Sequence, residues 1–126
     1  MRIFKTRWVA RFARRERIND ASLKDAIARA ERGIIDADLG SGLIKQRVAR
    51  PGQGRSGGFR MIVAYRTANR AFFLYGFAKN ERENIDEDEL QTLKDIAAEF
   101  LDHDDTSLDD AVRKGKLQEI DDGEGT

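Results

Sequence analysis

Basic residues set at short intervals between Lys45 and Arg82 are the groups in this sequence best spaced for chemistry. Lys45 and Arg47 stand two apart, Arg50 and Arg55 flank and enter a glycine-rich stretch, and Arg60 follows a Gly-Gly pair. Lys79 and Arg82 come just after an aromatic run. Guanidinium groups hold phosphate oxygens through paired N–H donors, and an ammonium group is a compact charge that can also exchange a proton. Residues two apart on a strand share a face, so Lys45 and Arg47 act side by side if this segment is extended.

Other chemistries are excluded by composition. No cysteine occurs, which removes disulfides, thiol nucleophiles and cysteine metal sites. His103 is the single histidine, so a histidine-rich zinc site and any two-histidine acid–base mechanism are out of reach. In its acidic surroundings His103 reads as a loop residue, and no metal or cofactor is expected. The formal net charge of zero conceals a strong asymmetry. Residues 1–82 hold 19 Lys+Arg against 7 Asp+Glu, and residues 83–126 hold 4 against 16. A basic block of that size concentrates polyanions, while the acidic remainder solvates the chain or screens the basic face.

The elements that would position these cations follow from periodicity. Three apolar runs rich in β-branched and aromatic residues, Leu43–Ala49, Phe59–Arg66 and Ala71–Lys79, predict an antiparallel meander. Alternation would put Phe73, Tyr75, Phe77 and Lys79 on one face of the last strand, and Phe72, Leu74, Gly76 and Ala78 on the other. Between the first two strands, Arg50 to Gly58 carries the one proline and four glycines, a mobile loop whose N–H groups can approach phosphate. It lacks the spacing and the Lys-Ser/Thr of a P-loop.

Upstream, Met1–Phe4 alternates weakly, as a short edge strand or a lead into a helix. Thr6 then caps a first helix with a Trp8, Val9, Phe12, Ala13 stripe, and Ser22 with Asp25 resembles a capping box for a second. Gly33 stops that helix, and 34–42 is a connector. Downstream, Asp86 caps a third helix with acids in its first turn and apolar residues from Leu90 to Leu101 at helical spacing. Ser107 would cap a short helix running to Arg113 and stopped by Gly115, Leu117–Ile120 would add a brief strand, and the DDGEGT end reads as disordered. The expected fold is α+β: an N-terminal αα-hairpin packed on one face of a three- to four-stranded antiparallel sheet, followed by a C-terminal helix. With no long apolar run and no signal-peptide core, a cytoplasmic protein that does not enter membranes is expected.

The ordered set Lys45-x-Arg47, Gly58-Phe59-Arg60, Ala78-Lys79-Asn80-Glu81 and the acidic helix start Ile85-Asp86-Glu87 resembles the RelE/HigB family of type II toxins. The stretch from Lys114 to Ile120 resembles the tail of a HigB-like subgroup, so the likeness covers nearly the whole chain. It implies a RelE-like domain over 1–102 with an acidic extension over 103–126. It also implies cleavage of mRNA on the ribosome and neutralisation by a cognate antitoxin, such as a helix-turn-helix protein. Catalytic positions of the family carry over onto Lys45, Arg47 and Arg60. A family arginine aligns near Asn80, which leaves its role to the neighbours Lys79 or Arg82. The family's late tyrosine has no counterpart, since Tyr65 and Tyr75 lie in strands. Arg50, Arg55, Tyr75 and Asn80 would contact the RNA, with Tyr75 as a stacking ring.

Cleavage by a 2′-OH requires a base, charge stabilisation on the phosphorane and a proton for the leaving oxygen. Arginines around Lys45 disfavour its protonated form, which makes it the candidate base. Arg47 and Arg60 would hold the phosphate, with Lys79 or Arg82 adding charge or the proton. Two other readings stand beside this one: a ParE-like gyrase poison, which lacks the basic set, and a toxin-like module that binds RNA or antitoxin without cleaving.

Overall fold

The computed structural model describes residues 1–50 and 54–120, the side chains of 54–56 excepted. Strands and helices follow the order β1 (Arg2–Thr6), α1 (Arg7–Glu16), α2 (Asp20–Glu31), β2 (Ala37–Gly40), β3 (Leu43–Arg50), β4 (Gly54–Arg66) and β5 (Arg70–Ala78). Then come α3 (Glu87–Asp102), α4 (Asp105–Arg113) and β6 (Leu117–Glu119). The six strands form one mixed sheet in the order β2-β3-β4-β5-β1-β6.

This corrects the expected helical hairpin on a small antiparallel sheet. The chain opens with a strand, β1, that lies inside the sheet, parallel to β5 and antiparallel to β6. Its alternation is weak because both of its faces are covered: Ile3 packs in the core beneath α1 and α2, and Phe4 in the core beneath α3 and α4. The 34–42 connector contains an edge strand, β2, paired with the first residues of β3. Helices also cover both faces. Phe12, Leu23 and Ile27 pack with Val48, Phe59 and Met61 on one side, and Leu93, Ala97, Leu101 and Leu108 pack with Leu43, Ile62 and Phe72 on the other. The second face of the sheet is therefore largely roofed by α3 and α4.

The β3–β4–β5 meander forms with the expected antiparallel pairing, closed by a turn with Ala68 in the left-handed region. The glycine-rich loop is much shorter than expected, since Gly54–Gly58 extend β4; residues 51–53 and the 121–126 end lie outside the described residues. At Gly58 a Cβ would lie 2.2 Å from the Val48 carbonyl oxygen, so only glycine lets the bulged β3 pass this close.

Thr6 and Asp86 cap α1 and α3 as expected, the latter with a full Asp86/Glu89 capping box. The caps of α2 and α4 are Asn19 and Asp104, each three residues before the expected serine. In both cases the side-chain oxygen of the earlier residue accepts from that serine's N–H, which draws the serine into the first turn. Among the described residues no helix is long and apolar enough to cross a membrane.

Candidate functional site

The register of β3 on β4 sets Arg47 directly opposite Arg60, and Lys45 opposite Ile62. Leu43, Ile62 and Ala64 belong to the core under α3 and α4, so Lys45, Arg47 and Arg60 all rise on that same side by alternation. Two guanidinium groups facing each other across a strand pair repel unless a carboxylate intervenes. Asp36, just before β2, supplies it: Arg47 Nε donates to Oδ1 at 2.8 Å, and Arg60 Nε lies 3.8 Å from Oδ2. The Asp36 backbone is fixed in turn by its N–H donating to Gln46 Oε1 at 2.9 Å.

Arg60 is buried, at 5% exposure, whereas Arg47 is open to solvent. Burial pulls the Arg60 guanidinium below its ordinary value; the Asp36 charge opposes that shift and the Arg47 charge adds to it. Lys45 is half-buried and makes no hydrogen bond or ion pair among the described residues.

The contribution of β5 to the site depends on an irregularity. Ile62 pairs with Tyr75 but Val63 pairs with Phe73, so Leu74 is an extra residue bulged out of β5. Below the bulge the faces exchange: Phe72, Leu74, Tyr75 and Phe77 lie toward α3 and α4, and Phe73, Gly76 and Ala78 toward α1 and α2. The expected alternation along this strand is corrected accordingly, and the bulge is what brings Tyr75 onto the cationic side. Two parallel rows result, Lys45–Ile62–Tyr75 and Arg47–Arg60–Phe77.

Arg82 closes the site from the turn after β5. Its guanidinium lies 5.6 Å from the Phe77 ring centroid, and Nη1 donates to the Tyr75 hydroxyl at 3.4 Å. Glu89 accepts from Nη2 at 2.6 Å and from Nη1 at 3.1 Å. The Arg82 hydrogen bond holds the Glu89 carboxyl down at about 2, helped by the Asp86 N–H that the capping box points at it.

The other expected site residues are placed differently. Lys79 and Asn80 are exposed in the turn beyond β5, where the Lys79 N–H donates to the Gly58 carbonyl. Arg50 leaves the cationic row at the β3 bulge and turns to the opposite face, over the Phe59 ring at 4.9 Å and 3.3 Å from Glu16. Arg55 lies in β4, with its side chain outside the described residues.

Three residues of the site escaped sequence reading. Asp36 sat in an assumed connector, and Trp8 was assigned wholly to a helix stripe, although the residue is 36% exposed and its ring lies 4.5 Å from that of Tyr75. Glu89 was legible as a helix-opening acid, but its pairing with Arg82 across a turn was not.

No curated protein and no solved structure matches the chain significantly. Over residues 1–120 it matches the family described as the RelE toxin of the RelE/RelB toxin–antitoxin system, in which the toxin's partner is a RelB-type antitoxin. A match over so much of the chain, on a fold that sets Lys45, Arg47 and Arg60 on one side of one sheet, makes this protein a member of the RelE toxin family.

Proposed function

We propose that this toxin is an endoribonuclease that cleaves mRNA on the ribosome by attack of a 2′-OH on the adjacent phosphate. The observation that carries the reading is the Arg47–Arg60 cross-strand pair with Lys45 two residues away on the same face. A phosphate entering here exchanges the shared Asp36 carboxylate for its own oxygens, since both are acceptors for the same N–H donors. Lys45 takes the 2′-OH proton; the O2′–P bond forms as the P–O5′ bond breaks. Arg47 and Arg60 stabilise charge on the phosphorane, and Lys79, an exposed ammonium, gives the leaving 5′-oxygen its proton. Arg82, fixed by Glu89, contributes standing positive charge. The products are a 2′,3′-cyclic phosphate and a 5′-hydroxyl end. The ribosome aligns the 2′-OH for in-line attack, which makes free RNA a poor substrate.

The test is a primer-extension map of mRNA after induction of this protein, beside an Arg60→Ala control. Cuts inside translated frames that vanish in the control support the reading; growth arrest with intact mRNA sinks it.

One observation favours a second reading. Arg47, Arg60 and Arg82 all have carboxylate neighbours already, as expected of a toxin-like module that keeps its antitoxin but has lost cleavage. No arrest, with retained binding to the antitoxin encoded beside it, identifies that case.

A further inference from the structure

A cavity of about 340 Å³ opens beside the cationic rows, lined by Tyr75 and by Asp88, Glu89, Thr92 and Leu93 from the first two turns of α3. Nothing in the cleavage chemistry uses it. Its contents suit a flat, largely apolar guest with hydrogen-bond donors on one edge. Tyr75 offers a ring and Leu93 an aliphatic wall, while Asp88 is exposed and makes no hydrogen bond or ion pair among the described residues. Glu89 is engaged by Arg82, so Asp88 is the carboxylate left to bind.

The ring wall is braced from outside the sheet. Beyond the Lys5↔Phe73 pair, β1 gives way to α1, and Trp8 from its first turn lies on Tyr75 at 4.5 Å while stacking on Phe12 at 5.2 Å. The Tyr75 hydroxyl is held by Arg82. A tyrosine fixed at both its ring and its hydroxyl is a rigid stacking surface, and it stands one strand from Ile62 and two from Lys45. A base on Tyr75 thus leaves its own sugar-phosphate next to the cationic rows.

We propose that this cavity is a nucleobase subsite of the RNA-binding face, selecting a base that carries an exocyclic amine. Resting on the nuclease reading for its substrate class, the subsite uses Tyr75 for stacking, Trp8 as the brace and Asp88 as the acceptor for the amine. A carboxylate only accepts, so it welcomes the amino edge of cytosine, adenine or guanine. It repels the carbonyl that uracil presents where cytosine has its amine. The cytosine–uracil contrast isolates that one exchange at equal ring size.

Trp8 is the chain's single tryptophan, which gives the test a signal independent of cleavage. The intact protein is titrated with CMP and with UMP while tryptophan emission is followed, exciting where nucleobases do not absorb. The expected result is saturable quenching by CMP, with UMP binding roughly tenfold more weakly. Asp88→Asn, an exposed and conservative change, should remove the difference between CMP and UMP, and Tyr75→Ala should abolish the quenching by both. Equal affinities for CMP and UMP in the unmodified protein, or no quenching by either, overturn the proposal. An mRNA map without cuts, alongside selective quenching, would count against the nuclease and leave the subsite standing.

Discussion

Arg82 grips Glu89 with both of its terminal nitrogens, across the turn that joins β5 to α3. The same glutamate closes the capping box of that helix, so one carboxylate sets both the start of α3 and the edge of the cationic site. Glu89 titrates at about 2 when folded against an ordinary 4.5. A depressed folded value stabilises above the unfolded one and is lost as pH falls through the folded one. Urea unfolding of the parent and of Glu89→Gln should therefore differ at neutral pH and converge as pH drops from 4.5 toward 2. A gap unchanged over that range would mean the ion pair does not hold the turn.

Asp36→Asn leaves Arg47 and Arg60 facing each other without a shared anion. Like charges directly opposite on paired strands cost about 0.5–1 kcal/mol, a loss that salt screens. The denaturation midpoint should fall at low salt and recover at high salt. Affinity for single-stranded RNA should rise at the same time, because the phosphate no longer competes with a carboxylate.

Two glycines should respond very differently to alanine. At Gly58 the new methyl meets backbone, the Val48 oxygen at 2.2 Å and the Arg50 nitrogen at 2.7 Å. At Gly76 it meets the Met61 side chain, Sδ at 2.4 Å and Cε at 2.8 Å, which can swing aside. Gly58→Ala should cost about 3 kcal/mol or more and Gly76→Ala about 1 kcal/mol, measured by chemical denaturation. Equal costs would show that β3 can yield at its bulge.

Leu108 on α4 is fully buried against the sheet. Leu108→Ala should cost about 2–4 kcal/mol in the same assay. Truncation after Asp102 should unfold the protein altogether, since it also strips Ala111, Leu117 and Ile120 from the two cores. A stable, cooperatively unfolding 1–102 fragment would instead support a self-sufficient 1–102 domain with 103–126 as its extension.

What the sequence disclosed was local. The Asp86 cap, the acids after it and the apolar spacing of Leu93, Ala97 and Leu101 lie within one helix, where a 3.6-residue period is readable. The meander was legible for the same reason, each strand being bounded by its own turn residues. β1 was hidden because Ile3 and Phe4 are both buried, on opposite faces, which erases the alternation that marks a half-exposed strand. The Leu74 bulge left no trace either, because Phe72 to Phe77 is apolar in either register. Lys45, Arg47 and Arg60 could be picked out individually, yet the Asp36 carboxylate between the arginines depends on a β2 edge that residue pattern did not announce.

The placement of β1 between β5 and β6 also bears on the order in which the molecule assembles. β1 has no partner until Arg70–Phe73 are in line on one side and Leu117–Glu119 on the other. Contacts so far apart in sequence pay loop-closure entropy before they return any stability, and so form late. The β3–β4–β5 meander is therefore expected to form first and β1 to insert afterwards, its place secured by Arg2, which lies 2.7 Å from Asp109 and 2.9 Å from Glu119. Weakening Ile3, Phe4 or Arg2 should consequently accelerate unfolding while leaving the refolding rate almost untouched.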